Sequence, residues 1–223
     1  MVRKYPNNAF KKRIEEIEEN IENLGHIIIE SYRTSILLLT DFDDDLIKKV
    51  IEQSNEIDEI VFELEKKCIQ FIAVEQPVAG DLMFVETIIK ISSSLNRIGY
   101  LSAKIAKFSR TIKDIKIPEK LVNDCQYMGD YVYMMLSKSI NAFLNKNIIT
   151  ASELKDEDDR VDELFDSILI QVTELMSNNA DSISSIMTLI FIARYLERIG
   201  DRAVNIGSRT IFMLTFKRTN DLV

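Results

Sequence analysis

Helix breakers are almost absent from this sequence: its 223 residues include only 6 Gly and 3 Pro. Those two residues make tight turns, and they cost about 1 and about 3 kcal/mol in a helix interior. A chain so poor in both cannot make the many turns of a sandwich or barrel. It is committed to a few long elements, and Leu, Ile, Glu, Lys and Asp, which dominate it, favour helices. Hydrophobic residues at 46% and charged residues at 29% give a globular balance, so disorder is excluded as the whole answer.

Six amphipathic segments follow from apolar residues recurring at three and four positions. The first spans about Ala9 to Leu39, with Ile14, Ile17, Ile21, Leu24 and Ile28 on one stripe. The acidic cluster Asp41 to Asp45 ends it and offers an N-cap to the second, about Asp43 to Val74. That segment carries Ile47, Val50, Ile57, Val61, Leu64, Cys68 and Phe71 in one seam. Gln76-Pro77-Val78-Ala79-Gly80 is a turn, and the third segment runs from about Asp81 to Thr111. Pro118 marks the start of the fourth, Glu119 to Asn145. The fifth runs Ala151 to Ser177, the chain turns over Ser177 to Ser182, and the sixth runs Ser182 to Phe216, with a frayed tail after Lys217. Short connections make sequential helices antiparallel.

The chain also repeats itself at a spacing of about 100 residues. Ile89, Ile91, Leu95, Arg97, Ile98, Gly99 and Ile105 match Ile190, Ile192, Leu196, Arg198, Ile199, Gly200 and Ile206 at one offset. Upstream, Ile57-Asp58-Glu59 matches Val161-Asp162-Glu163 after allowance for a longer turn in the first half. The expected architecture is all-α: two tandem antiparallel three-helix bundles, over residues 9–112 and 118–216.

Charge and apolar patterning remove several functions. Net charge is −8 and the pI is near 4.9, so the chain lacks the basic excess that a polyanion needs, and direct nucleic-acid binding is not expected. The longest apolar stretch, Ile183 to Leu196, is interrupted by Ser184, Ser185 and Arg194, so no membrane insertion is expected. Met1-Val2-Arg3-Lys4-Tyr5-Pro6 has no apolar signal core. Cys68 and Cys125 lack ligand spacing and read as free buried thiols of a reducing cytoplasm. His26 is the sole histidine, with Asn23 three residues before it, so the Glu-x-x-His pattern of di-iron bundles is missing and His26 reads as a surface or structural residue. No Gly-rich phosphate loop or nucleophile elbow is present.

Two acidic pairs at i, i+4 stand out in the second half: Asp158 with Asp162, and Glu197 with Asp201. The fifth-segment seam reads Leu154, position 158, Val161, Phe165, Ile168, Val172, Leu175. The sixth reads Ile183, Ile186, Ile190, Ala193, position 197, Gly200, Val204. Asp158 and Glu197 therefore fall in the seams themselves, with Asp162 and Asp201 beside them. Two like charges ~4 Å apart at an effective dielectric of about 20 repel by about 4 kcal/mol, so a cation, an arginine or a proton must offset them. Converging carboxylates suit Mg²⁺, Ca²⁺, Mn²⁺, Fe or Zn²⁺. Arg160, Arg198 and Arg202 offer pairing without metal, and an acidic run near a helix start also favours the helix dipole. The residues leave three functions open: a metal-binding adapter, a carboxylate-metal phosphatase or hydrolase, and a structural helical interaction module.

At Leu196-Glu197-Arg198-Ile199-Gly200-Asp201-Arg202-Ala203-Val204-Asn205-Ile206 the sequence resembles the PhoU family of phosphate-uptake regulators. Gln76-Pro77-Val78-Ala79-Gly80-Asp81-Leu82, Lys49-Val50-Ile51-Glu52 and Asp158-Asp159-Arg160-Val161-Asp162 extend the resemblance over about residues 10–215. The resemblance implies a cytoplasmic, non-enzymatic negative regulator of phosphate uptake and phosphate-responsive signalling. It implies contacts with the ATPase subunit of a phosphate ABC transporter and, where one exists, a phosphate-sensing histidine kinase. It also implies a homodimer, and metal ions (Fe, Zn, Mn or Mg) on Asp158, Asp162, Glu197 and Asp201. The first half departs from that pattern. Ser54 stands at the position of Asp158, Asn96 at that of Glu197 and Tyr100 at that of Asp201, and only Asp58 matches Asp162. Ser54 and Asn96 are expected to face inward and hydrogen-bond each other, and the first half to have kept its bundle without a metal site. Met83 stands where the family usually has arginine.

Overall fold

The chain is described here by a computed structural model covering residues 8–113, 117–178 and 183–217. Six helices account for nearly all of it: α1 (Asn8–Leu37), α2 (Asp44–Glu75), α3 (Gly80–Lys113), α4 (Glu119–Leu144), α5 (Ile148–Asn178) and α6 (Ile183–Thr215). No strand occurs among the described residues. Helices of 26 to 34 residues reach about 40–50 Å at ~1.5 Å per residue. The expected start of the last helix at Ser182, most of the turn before it, the tail after Lys217 and the first six residues lie outside the described residues.

Local chemistry sets the boundaries. Asp43 caps α2, its Oδ1 accepting from the backbone N–H of Asp45 at 2.8 Å and of Leu46 at 3.0 Å. Gln76 closes α2 in the left-handed region at φ 46°, its N–H returning to the Ile72 carbonyl at 3.1 Å. Asn147 opens α5, accepting from the Thr150 N–H at 3.2 Å, so α5 begins three residues earlier than the apolar pattern alone predicts.

The α1 and α2 seams read from the sequence are core; on α6 the buried line is Leu189, Ile192, Leu196, Ile199 and Ala203, one residue before the expected Ile190, Ala193, Glu197, Gly200 and Val204, of which Ile190 and Val204 are only partly buried. Ile14, Ile17, Ile21, Leu24 and Ile28 of α1 are buried, as is every seam residue of α2 from Ile47 to Phe71. Both cysteines are buried and free, and burial pushes their thiols up to about 12, which leaves them unreactive near neutral pH. His26 is exposed. Among the described residues no helix is long and apolar enough to cross a membrane.

Within each half the three helices pack on one another, and the same crossing recurs in both. A Cβ placed on Gly99 of α3 would sit 2.9 Å from Ile57 of α2, and one on Gly200 of α6 would sit 3.5 Å from Val161 of α5. Ile57 and Val161 are equivalent in the repeat, as are the two glycines. The halves also dock, α3 against α6 and α1 against α4. The α3–α6 contact stacks Phe108 on Phe191 and Tyr195, each at 5.9 Å between ring centroids. The α1–α4 contact buries Tyr32, whose hydroxyl donates to the Gly129 carbonyl at 2.9 Å. One continuous apolar core therefore runs through both bundles.

Gly207 marks the tightest approach between α5 and α6: a Cβ there would meet Leu154 Cδ1 at 2.6 Å and the Ala151 backbone oxygen at 2.9 Å. Backbone cannot yield as a side chain can. Gly207→Ala is expected to lower stability by about 1–3 kcal/mol in urea denaturation, outweighing the roughly 1 kcal/mol by which Ala favours helix. A stability gain would contradict this packing.

Candidate functional site

Helices α5 and α6 bring the four predicted carboxylates to one level. Asp158 is half-buried between Leu154 and Val161, and Glu197 is half-buried beside the core line of α6, while Asp162 and Asp201 are exposed beside them. Gly200 faces this level: a Cβ there would stand 3.5 Å from Asp158 Oδ1, in ordinary van der Waals contact.

The electrostatics show what that proximity costs. Burial, reinforced by Asp201, Asp162, Glu197 and Asp159, pushes the Asp158 carboxyl up to about 6. Burial also raises Glu197, with Asp201 and Asp162 adding to the effect and Arg194 and Arg198 opposing it. Arg194 Nη1 donates to Glu197 Oε1 at 2.6 Å, and the Glu197 side chain is only 14% exposed. Its other oxygen, Oε2, is buried with no hydrogen-bond partner. A buried carboxylate oxygen left unpaired is costly, and an all-oxygen donor set at this level suits a hard cation. The side chains as they stand do not form a closed cage: no group of three or more His, Cys, Asp or Glu among the described residues is gathered for a metal ion.

Arginine pairing differs from the sequence expectation. Arg160 bonds Glu163 at 2.6 Å, and the partner of Glu197 is Arg194, three residues away, which the sequence reading passed over. The i, i+3 spacing of each pair was the available signal.

The equivalent level of the first half is built differently. Asn96 Nδ2 donates to Asp58 Oδ1 at 2.8 Å, so the amide pairs with the one retained carboxylate rather than with Ser54 as expected. Tyr100, at the position of Asp201, carries Arg97 Cζ at 4.8 Å and Lys104 Nζ at 5.2 Å from its ring centroid. Asp58 and Asn96 edge an open groove of about 480 Å³ between α2 and α3. The geometry that sets an amide against a carboxylate in the first half sets carboxylate against carboxylate in the second.

Asp158 holds its proton more tightly in the folded chain than in the unfolded one. The associated stability is complete below about pH 4 and is lost as pH rises through about 6. In chelator-treated protein the thermal midpoint is expected to fall between about pH 4 and pH 6. The loss is on the order of 1 kcal/mol after discounting for solvent exposure, and Asp158→Asn removes it. A midpoint that rises over this interval in the wild type would contradict the crowding of acids around Asp158.

Comparison with known proteins places the chain. The sequence profile of the PhoU domain matches residues 21–109 and again residues 126–210. A phosphate-specific transport system accessory protein PhoU homolog 1 from Methanothermobacter thermautotrophicus is 47% identical over 98% of this chain and 100% of the relative. The phosphate-specific transport system accessory protein PhoU of Escherichia coli is 30% identical over 91% of this chain and 84% of its own. The crystal structure of PhoU from Pseudomonas aeruginosa shares the fold, with a TM-score of 0.89 over 93% of this chain and 100% of that one at 24% identity. The phosphate transport system regulatory protein PhoU from Streptococcus pneumoniae has a TM-score of 0.86 over 94% of this chain and 98% of that one at 25% identity. With the domain matched twice, the same glycine crossing in both halves and relatives that align along nearly the whole chain, this protein belongs to the PhoU family.

Proposed function

We propose that this protein is a non-enzymatic accessory of phosphate-specific transport. In this reading it is a cytoplasmic negative regulator of phosphate uptake and phosphate-responsive signalling that works through protein–protein contacts. Its partners are the ATPase subunit of a phosphate ABC transporter, a phosphate-sensing histidine kinase where one exists, and a second copy of the chain. Membership of the family and its similarity to phosphate-specific transport system accessory proteins support the transport role.

The observation that carries the metal part is the orphaned, buried Glu197 Oε2 at the level where Asp158 is crowded by acids. Asp158 and Glu197 would hold a divalent or trivalent ion (Fe, Zn, Mn or Mg) from the half-buried side, with Asp162 and Asp201 closing it from the solvent side. Bound there, the ion supplies positive charge that offsets four carboxylates and ties α5 to α6. Gly200 faces this level, and Arg194 shares Glu197. The first half has no such requirement, because the Asn96 amide satisfies Asp58. The site is therefore one-sided, and the ion shapes the surface of the second half alone. The Arg194–Glu197 pair favours a purely structural alternative, in which the acids need no ion.

Elemental analysis of protein purified without chelator separates the two. Stoichiometric metal is expected in the wild type and absent from Asp158→Asn/Glu197→Gln, with a chelator lowering the thermal midpoint of the wild type only. Absence of metal from both proteins supports the structural alternative. Metal retained by the variant would place the ion elsewhere.

A further inference from the structure

A long basic stretch in this acidic protein lies on α3. From Thr87 to Lys113 the helix carries Lys90, Arg97, Lys104, Lys107, Arg110 and Lys113 and no Asp or Glu. Arg110 is bonded to Asp44 and Lys113 lies over Phe42. Lys90, Arg97, Lys104 and Lys107 have no carboxylate within salt-bridge distance among the described residues, and all but the half-buried Lys104 are exposed. Lys90, Arg97 and Lys104 are spaced by seven, so they form one line on the helix about 20 Å long.

That line runs beside a second set of cations. Phe108 stacks on Phe191 and Tyr195, and Glu86 lies 3.9 Å from Arg209, so α3 and α6 run antiparallel with their middles level. Arg97 and Lys104 fall between those two contacts, level with Arg198 and Arg202 of α6. Guanidinium and ammonium groups from two packed helices thus share one strip, in a chain of net charge −8. Arg97 and Lys104 lie over the face of Tyr100, and Arg198 acts on Glu197.

Carboxylates flank the strip. Toward α2, Asp58, Glu59 and Glu63 line a groove with Ser93 and Asn96 of α3. At its start Glu86, one turn before Lys90, is taken up by Arg209. A broad anionic plane laid over α2 and α3 would meet the α2 carboxylates and be repelled, whereas a single anionic rod along α3 would meet chiefly the cations.

We propose that the α3–α6 strip centred on Arg97 and Lys104 is a docking site for an acidic helical segment of a partner protein. Carboxylates repeating every two turns of that segment would pair with Lys90, Arg97 and Lys104 on one side and with Arg198 and Arg202 on the other. The exposed Tyr100 ring lies between the cations as an apolar contact. This goes beyond the proposed metal site: the docking cations lie on α3 and α6 and are none of that site's four carboxylates.

The test uses the full chain and a fluorescein-labelled poly-L-glutamate of about 20 residues, followed by anisotropy at low ionic strength and at about 0.15 M salt. The wild type is expected to bind the peptide, more weakly at the higher salt. Arg97→Glu/Lys104→Glu is expected to weaken binding about tenfold or more. The charge-matched control Lys11→Glu/Lys12→Glu, on α1, is expected to change it little. Circular dichroism and the thermal midpoint establish that each variant is folded, and Arg97→Gln/Lys104→Gln provides a milder second variant. No binding by the wild type, or an equal loss in the control, would overturn the proposal. So would binding to vesicles with about 30% phosphatidylserine but not to poly-glutamate, which would assign the strip to a lipid surface instead.

Discussion

The structure turns on one close crossing, made twice. A glycine on the third helix of each half, Gly99 or Gly200, faces a β-branched residue of the second, Ile57 or Val161, with no room for a Cβ at Gly99 and ordinary contact for one at Gly200. The approach is close enough that the polar positions beside the crossing must meet one another. In the first half the meeting is Asn96 with Asp58, donor to acceptor. In the second it is Glu197 and Asp158 with Asp162 and Asp201, acceptor against acceptor. The backbone is the same and the chemistry has changed sign: one half is satisfied internally, and the other carries a burden that a proton, an arginine or a cation has to relieve.

Docking between the halves adds a consequence that neither bundle has alone. Packing α3 against α6 makes the core continuous and sets the two middle helices side by side. The cations of α3 then border those of α6, while Asp58, Glu59 and Glu63 of α2 are left to the flank. The molecule therefore separates its charge into a basic strip beside flanking carboxylates although its total is strongly negative. Such a distribution controls which partners can approach and in what orientation, more than it controls stability.

The fold was largely legible before any coordinates, because a chain with so few breakers and such regular seams has few alternatives. The α2 seam from Ile47 to Phe71 is buried residue for residue. Asp43 caps where an acidic cluster predicted a cap, whereas the buried face of α6 runs through Leu189, Ile192, Leu196, Ile199 and Ala203, one residue before the expected seam, which leaves Glu197 half-buried beside it. Hydrogen-bond partners were less legible. Asn96 chose Asp58 over Ser54, and Arg194 rather than Arg198 or Arg202 took Glu197, because rotamers and the offset between helices choose among several residues within reach. The start of α5 was misplaced for a related reason: Asn147 caps through its side chain ahead of the first seam residue.

The sequence by itself determined six long helices, the α1 and α2 seams, the internal repeat and the residue types at each functional level. These follow from the 3.6-residue period and from local propensity, which act within one helix. Only the tertiary structure decided which helix faces which across the two halves. It left one Glu197 oxygen buried and alone, and it aligned the cations of α3 with those of α6. Those outcomes depend on interhelical register. A helix seam leaves that register open until the side chains of the neighbouring helix fill the grooves between its own.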